Sequence, residues 1–287
     1  VLELPSHRVL AEVPHTSGYK LRQLYGFSGS GDRLAVLQEQ QVEVLELAPD
    51  GGAPKVLMTV PDLVPPVALT PDGAALLAPE GVAGHPSTLR LWRIADRQPL
   101  WTTDLLVESA AFSADGTQLA VGGDAWVAML DARTGVEAKR WTLPAGGGVY
   151  RVALSRDART LVACAEGGVW RLDVPVGQLT RLGADCSGMS AAISADGQFI
   201  AASGSTVSLW RGDSATPVLQ FPEEGSPLFV ALSADGAELY HSGTLVQRLA
   251  LPLGASPAPP EEELAEVLRT YRLAFDGRTV VPAPRGW

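Results

Sequence analysis

The sequence predicts an all-β chain built from one repeated unit, and three observations carry that prediction. First, a nine-residue pattern recurs: Ser or Thr, any residue, Asp, Gly, two variable positions and a small apolar triplet. It reads SGSGDRLAV (28–36), TPDGAALLA (70–78), SADGTQLAV (113–121), SRDARTLVA (155–163), SADGQFIAA (194–202) and SADGAELYH (233–241), with a weaker seventh copy, AFDGRTVVP (274–282). Second, the equivalent positions Ser30, Asp72, Asp115, Asp157, Asp196, Asp235 and Asp276 are separated by 42, 43, 42, 39, 39 and 41 residues, a mean of 41. Third, apolar segments flank the turn, as in PPVALT, ESAAFS, YRVALS, MSAAIS and LFVALS on its N-terminal side. Asp-Gly favours a tight reversal because Gly accepts positive φ and Asp bonds nearby backbone, so each turn with its flanks reads as a hairpin.

Each repeat then continues in order. A third strand is predicted at 42–47 (VEVLEL), 89–94 (LRLWRI), 126–131 (WVAMLD), 168–173 (GVWRLD), 207–212 (VSLWRG) and 245–250 (LVQRLA). A more polar fourth follows at 137–143 (EAKRWTL), 178–183 (QLTRLG) and 217–221 (PVLQF). Four short antiparallel strands in roughly forty residues is the period of a propeller blade. The prediction is a seven-bladed β-propeller in a single domain, with blades at 19–60, 63–105, 107–143, 149–183, 188–221 and 227–253. VLEL at 1–4 recurs at 44–47, in a third strand. Residues 1–14 therefore read as the outer strands of a closing blade and 269–283 as its inner strands. Closing the ring removes exposed sheet edges. Residues 254–268 interrupt the period: GASPAPP is a loop and EEELAEVL (261–268) a short helix, with prolines before it and acidic residues in its first turn.

These residues resemble the WD-repeat family. The marks are the Ser-x-Asp-Gly turn, the small-residue strand after it, and the Leu-Trp pairs Leu91–Trp92 and Leu209–Trp210 late in the third strand. Val169–Trp170 nearly repeats the pair and Leu130–Asp131 keeps the family's Asp, so the resemblance spans almost the whole chain. The chain departs from the family where Arg93, Arg171 and Arg211 follow the tryptophans, and where Gly84–His85 sits in a later loop instead of opening a repeat. Blades are accordingly expected to rest on apolar stacking more than on Asp-His-Ser-Trp networks. Abundant Ala, Gly, Pro and Arg with three lysines resembles a bacterial, GC-rich coding bias. Bacterial relatives of this type are often joined to kinase or nucleotide-binding signalling modules, and a chain starting at Val1 is compatible with a domain excised from one.

Composition narrows the function. The 287 residues carry 22 basic and 32 acidic side chains, a net charge of −10. Phosphate binding wants clustered cations, so nucleic acid and anionic membrane surfaces are not expected partners. No apolar run approaches the ~18 residues of a membrane-spanning helix, so no membrane insertion is expected either. A cytoplasmic chain is expected, with the cell envelope as the other placement. Two cysteines exclude a disulfide framework or a four-Cys zinc site. Cys164 reads as a buried thiol in a strand and Cys186 as a loop residue on the next blade; their pairing is left open.

Known chemistries find no constellation. Gly146–Gly148 leads into a strand, not the helix N-terminus that a phosphate cradle needs. The segment 26–29 (GFSG) lacks a full nucleophile elbow. His7, His15, His85 and His241 show no metal-ligand spacing. LDARTG (130–135) with Trp141 resembles the docking motif of quinone-dependent propellers, but occurs once, with the Trp late, and reads as a turn. No cofactor, metal or catalytic group is predicted.

What remains is a surface. In this family, loops before first strands and after second strands share one face. Register places Glu108, Tyr150, Arg151, Met189 and Phe229 at first-strand starts, and Glu39, Glu80, Asp124, Trp126, Glu166 and His241 at or after second-strand ends. Tyr, Trp, Met and Arg are favoured where partners dock. The predicted partner-binding residues are Glu108, Trp126, Tyr150, Arg151, Glu166, Met189, Phe229 and His241. The expected function is a non-catalytic interaction or sensor module, a monomeric propeller that binds a protein or peptide. The alternative is a small-molecule-binding or lactonase-like propeller, with Asp124, Glu166 and His241 as its nearest parts.

Overall fold

A computed structural model describes residues 23–38, 41–48, 52–61, 66–82, 85–144, 146–183, 186–187, 189–212, 214–222, 229–233, 235–242, 246–251, 273–275 and 280–282. All regular structure among them is β, arranged in seven antiparallel sheets that follow one another along the chain. The first sheet is β1 (Gln23–Phe27), β2 (Arg33–Gln38), β3 (Gln41–Glu46) and β4 (Lys55–Pro61). The second is β5 (Ala68–Leu69), β6 (Ala75–Val82), β7 (His85–Arg93) and β8 (Pro99–Thr103). The third is β9 (Ser109–Phe112), β10 (Gln118–Gly123), β11 (Trp126–Asp131) and β12 (Glu137–Thr142). The fourth is β13 (Val149–Leu154), β14 (Thr160–Ala165), β15 (Gly168–Asp173) and β16 (Gln178–Gly183). The fifth is β17 (Ser190–Ile193), β18 (Phe199–Ser203), β19 (Thr206–Arg211) and β20 (Leu219–Pro222). The sixth shows three strands, β21 (Phe229–Leu232), β22 (Glu238–Ser242) and β23 (Val246–Ala250). The last is the hairpin β24 (Leu273–Phe275) and β25 (Val280–Pro282).

Two compact units divide the chain, Val1–Gly123 with Ala128–Arg140 and Asp124–Val127 with Trp141–Trp287. The hairpin β24–β25 falls within the expected inner strands, and β25 runs near β20 in the second unit. The expected outer strands at 1–14, and the helix at 261–268, lie outside the described residues. His85, expected in a loop, opens β7 instead, because β6 and β7 pair out to Val82 and His85.

The repeated turn explains the repeated sheet. In the third copy Ser113 Oγ donates to Asp115 Oδ1 at 2.6 Å, while Asp115 Oδ1 and Ser113 Oγ accept the Thr117 and Gln118 N–H groups at 3.0 Å each. The same Ser/Thr–Asp bond is made by Thr70–Asp72, Ser155–Asp157, Ser194–Asp196 and Ser233–Asp235. In the first copy, where Ser30 replaces Asp, Asp32 Oδ1 accepts from Ser30 Oγ and from Ser28 Oγ, the latter at 2.7 Å. These hydrogen bonds hold the carboxyls of Asp32, Asp72, Asp115, Asp157 and Asp235 below their ordinary pKa. The turn glycine has two duties at Gly236: φ is +71°, and a Cβ there would stand 2.7 Å from the Phe199 ring. Ala158 fills the same place in the fourth copy at φ 55°.

Successive sheets stack through apolar clusters. One joins Val42, Val44 and Met58 of the first sheet to Leu69, Leu76 and Ile94 at the second. Another joins Val162, Val169 and Leu182 to Ala191, Ile200 and Trp210. A third joins Phe199, Val207 and Leu209 to Val230, Leu239 and Leu249. The indole N–H groups of Trp92, Trp170 and Trp210 meet no acceptor among the described residues. Arg90 stacks over Trp92 and Arg181 over Trp170, so the tryptophans serve as apolar and cation–π surfaces. The 131–135 turn is closed by Asp131 Oδ1 accepting the Thr134 N–H at 2.8 Å. Trp101, not Trp141, lies over Gly135, and its indole N–H donates to Ala132 O at 2.9 Å.

Candidate functional site

In the second unit, strand register brings several predicted residues to one end of three successive sheets. β13 begins where β14 ends, with Val149 opposite Ala165. β17 begins where β18 ends, with Ser190 opposite Ser203. β21 begins where β22 ends, with Phe229 opposite Ser242. Ser190 Oγ accepts the Val230 N–H at 3.1 Å, which ties the start of β21 to the start of β17. Tyr150, Arg151, Met189 and Phe229 all lie at this end and all are exposed, Met189 at 56%, Phe229 at 44% and Tyr150 at 37%. A regular strand would turn Tyr150 and Arg151 to opposite faces. The ladder instead shifts between Val149 and Arg151, so Tyr150 is the extra residue of a bulge and both side chains reach solvent.

Met189 is held by its own loop. Its N–H donates to Cys186 O at 2.9 Å, and its φ of 54° is left-handed, a conformation that costs a long side chain energy and persists only under surrounding restraint. A disulfide supplies the restraint. Cys164, opposite Arg151 in the β13–β14 ladder, is bonded to Cys186 with a Cα–Cα distance of 5.7 Å. Both cysteines are buried, as expected of Cys164, and the pairing that the sequence left open is made. The bond fastens the loop that presents Met189 to the strand beside Arg151.

Arg151 carries the only other polar head on β13. It has no ion-pair or side-chain hydrogen-bond partner among the described residues. It is reached by solvent, yet enough protein surrounds its guanidinium for desolvation to lower its pKa below the ordinary value.

The other predicted residues take different places. Glu166 is exposed at the β14–β15 turn; its N–H donates to Gly148 O at 3.1 Å and its side chain fills the space beside Gly147. Trp126, half-buried, opens β11 next to Ala125, whose N–H donates to Gly147 O at 2.9 Å. Asp124 bridges Gly148 through its backbone. Glu108 belongs to the first unit, exposed ahead of β9 with its N–H on Gly122 O at 2.7 Å. His241 departs from expectation. It is 4% exposed and meets Phe221 edge-on at 5.0 Å, because alternation along β22 turns it to the same side as buried Leu239. Glu39, and the side chain of Glu80, lie outside the described residues. Asp124, Glu166 and His241 form no gathered ligand group, and no three His, Cys, Asp or Glu of the described residues do. No helix among the described residues is long and apolar enough to cross a membrane.

Sequence reasoning missed Ser190, and it named Cys186 with its pairing left open; both position the face without being its contacts. The serine gave no signal apart from its place at the start of β17, and the cysteine's partner is separated by 22 residues.

Neither a family model nor a curated protein sequence matches the chain. Among solved structures it is similar to a chain in the crystal structure of a mitotic checkpoint complex, with a TM-score of 0.66 and 18% identity, over 82% of this chain and 76% of that one. At that identity the likeness speaks to fold alone. With the run of four-stranded antiparallel sheets, it shows an all-β propeller.

Proposed function

We propose that the chain is a non-catalytic interaction module, a divergent seven-bladed propeller of WD-repeat type, which docks a protein or peptide on the end of the second unit where β13, β17 and β21 begin. One observation carries this reading: the large exposed side chains Tyr150, Met189 and Phe229 stand at, or one residue from, the starts of three successive first strands, on a loop and a bulge held in place by backbone bonds and a disulfide. Exposed aromatic and Met side chains on a rigid support are the usual anchors of a docking surface. That the similar chain comes from a mitotic checkpoint complex agrees with this. A place within a larger bacterial signalling protein fits the coding bias. The buried disulfide supports the cell envelope over the cytoplasm, since disulfides persist in oxidising compartments.

The test is affinity capture from the native host with the wild-type chain and a Tyr150→Ser, Met189→Ser, Phe229→Ser variant. The expected result is a partner retained by the wild type and lost by the variant at unchanged thermal stability. Equal retention by both would refute the assignment.

A further inference from the structure

We infer that the partner of this face is an acidic peptide segment, one of whose carboxylates pairs with the Arg151 guanidinium while apolar residues beside it cover Tyr150, Met189 and Phe229. The inference rests on the docking reading above and adds the chemistry of the occupant.

Arg151 is what distinguishes this face from a purely apolar patch. A guanidinium offers five N–H donors in a planar fork that fits a carboxylate through two parallel bonds. Some arginines of this chain spend those donors internally: Arg181 on Gly167 O at 2.8 Å, Arg33 on Gly73 O at 2.6 Å, Arg93 on Asp96 at 2.9 Å. Arg151 does not, although the chain carries ten more acidic than basic side chains. The bulge places Arg151 directly after Tyr150 at the end of the sheet, with both residues exposed. The depressed pKa agrees with a cation already partly stripped of water and lacking a counter-charge.

An arriving carboxylate supplies that counter-charge. An exposed ion pair would be worth little. Here Tyr150 is the neighbouring residue of the bulge and Met189 precedes the first strand of the next sheet, so an occupant that covers these side chains would exclude water beside Arg151, which is the setting in which an interfacial Arg becomes an anchor. The Cys164–Cys186 bond keeps the Met189 loop beside the strand that pairs with Arg151, so the cation and the apolar anchors are arranged before binding.

The experiment selects peptides from a random nine-residue phage-displayed library on the folded, oxidised chain, then measures the best peptide against variants. The expected result is enrichment of Asp or Glu next to apolar residues. Arg151→Gln should abolish that enrichment and weaken the best peptide about 10- to 100-fold, and Arg151→Lys, which keeps charge without the fork, should recover only part of it. Selected peptides without carboxylates, or acidic peptides that bind Arg151→Gln as tightly as wild type, would overturn the inference. The two readings fail separately. If carboxylates prove irrelevant but Met189→Ser and Phe229→Ser still abolish binding, the docking face stands and its acidic partner falls. If neither set of variants matters, both fall. Unchanged circular dichroism of each variant excludes unfolding as the cause.

Discussion

Breaking the Cys164–Cys186 bond should lower stability by an amount the structure sets. The bond spans a sequence separation of 22. Closing a segment of that size in the unfolded chain removes entropy equivalent to about 3 kcal/mol at 25 °C. With an unfolding entropy of roughly 2 cal/mol/K per residue, that lowers the thermal midpoint by about 5 °C. A Cys164→Ala, Cys186→Ala variant should lose slightly more than the reduced wild type, since it also removes two sulfur atoms from the cluster around Val162, Ile200 and Trp210. The assay is urea denaturation of the oxidised, dithiothreitol-reduced and doubly substituted chains, with thiol titration of the denatured oxidised protein as control. Two titratable thiols in that control, or coincident midpoints for all three samples, would refute the reasoning.

Acid should weaken the repeated turns. The carboxyls of Asp72 and Asp157 have folded pKa values below the ordinary 3.8, so their contribution is complete above that pH and is lost as pH falls below it through the folded values. Urea midpoints measured from pH 5 to pH 2 should fall, and Asp72→Asn with Asp157→Asn should flatten the fall; an unchanged slope would contradict the turn bonding. The glycines separate strain from close approach. Gly31 and Gly236 both have positive φ, at 75° and 71°, but only Gly236 faces an atom within 3 Å, the Phe199 ring at 2.7 Å. Gly31→Ala should cost about 1 kcal/mol and Gly236→Ala about 2–3 kcal/mol; equal losses in denaturation would show that the stacking contact is not tight.

Much of the fold was legible because turn chemistry and apolar alternation are local. WVAMLD, GVWRLD and QLTRLG are β11, β15 and β16 with the expected bounds. The turns among the described residues fell where the pattern placed them, and even the first copy kept its bond by moving the carboxylate from position 30 to Asp32. The candidate site was legible as far as register reaches: Tyr150, Arg151, Met189 and Phe229 lie in the neighbourhood of first-strand starts, as read. What escaped depends on spatial detail. The bulge at Tyr150 is a ladder irregularity with no glycine at the bulged residue to announce it. His241 lies in the expected strand, yet its face is decided by alternation with Leu239, which register at a strand end does not convey. The disulfide joins a strand interior to a loop, and two cysteines alone do not reveal whether their Cα atoms approach. Trp101 reaches Gly135 from the preceding sheet, which a local motif does not convey.

The most direct measurement of the docking face is site-specific photo-crosslinking in the native host. A photoreactive side chain at position 150, 189 or 229 is compared with one at Val176, which is 73% exposed at the opposite end of the fourth sheet, in the turn between β15 and β16. The account predicts one common protein partner crosslinked from all three face positions and none from 176. Crosslinks of equal yield from 176, or unrelated products at each of the three, would contradict it.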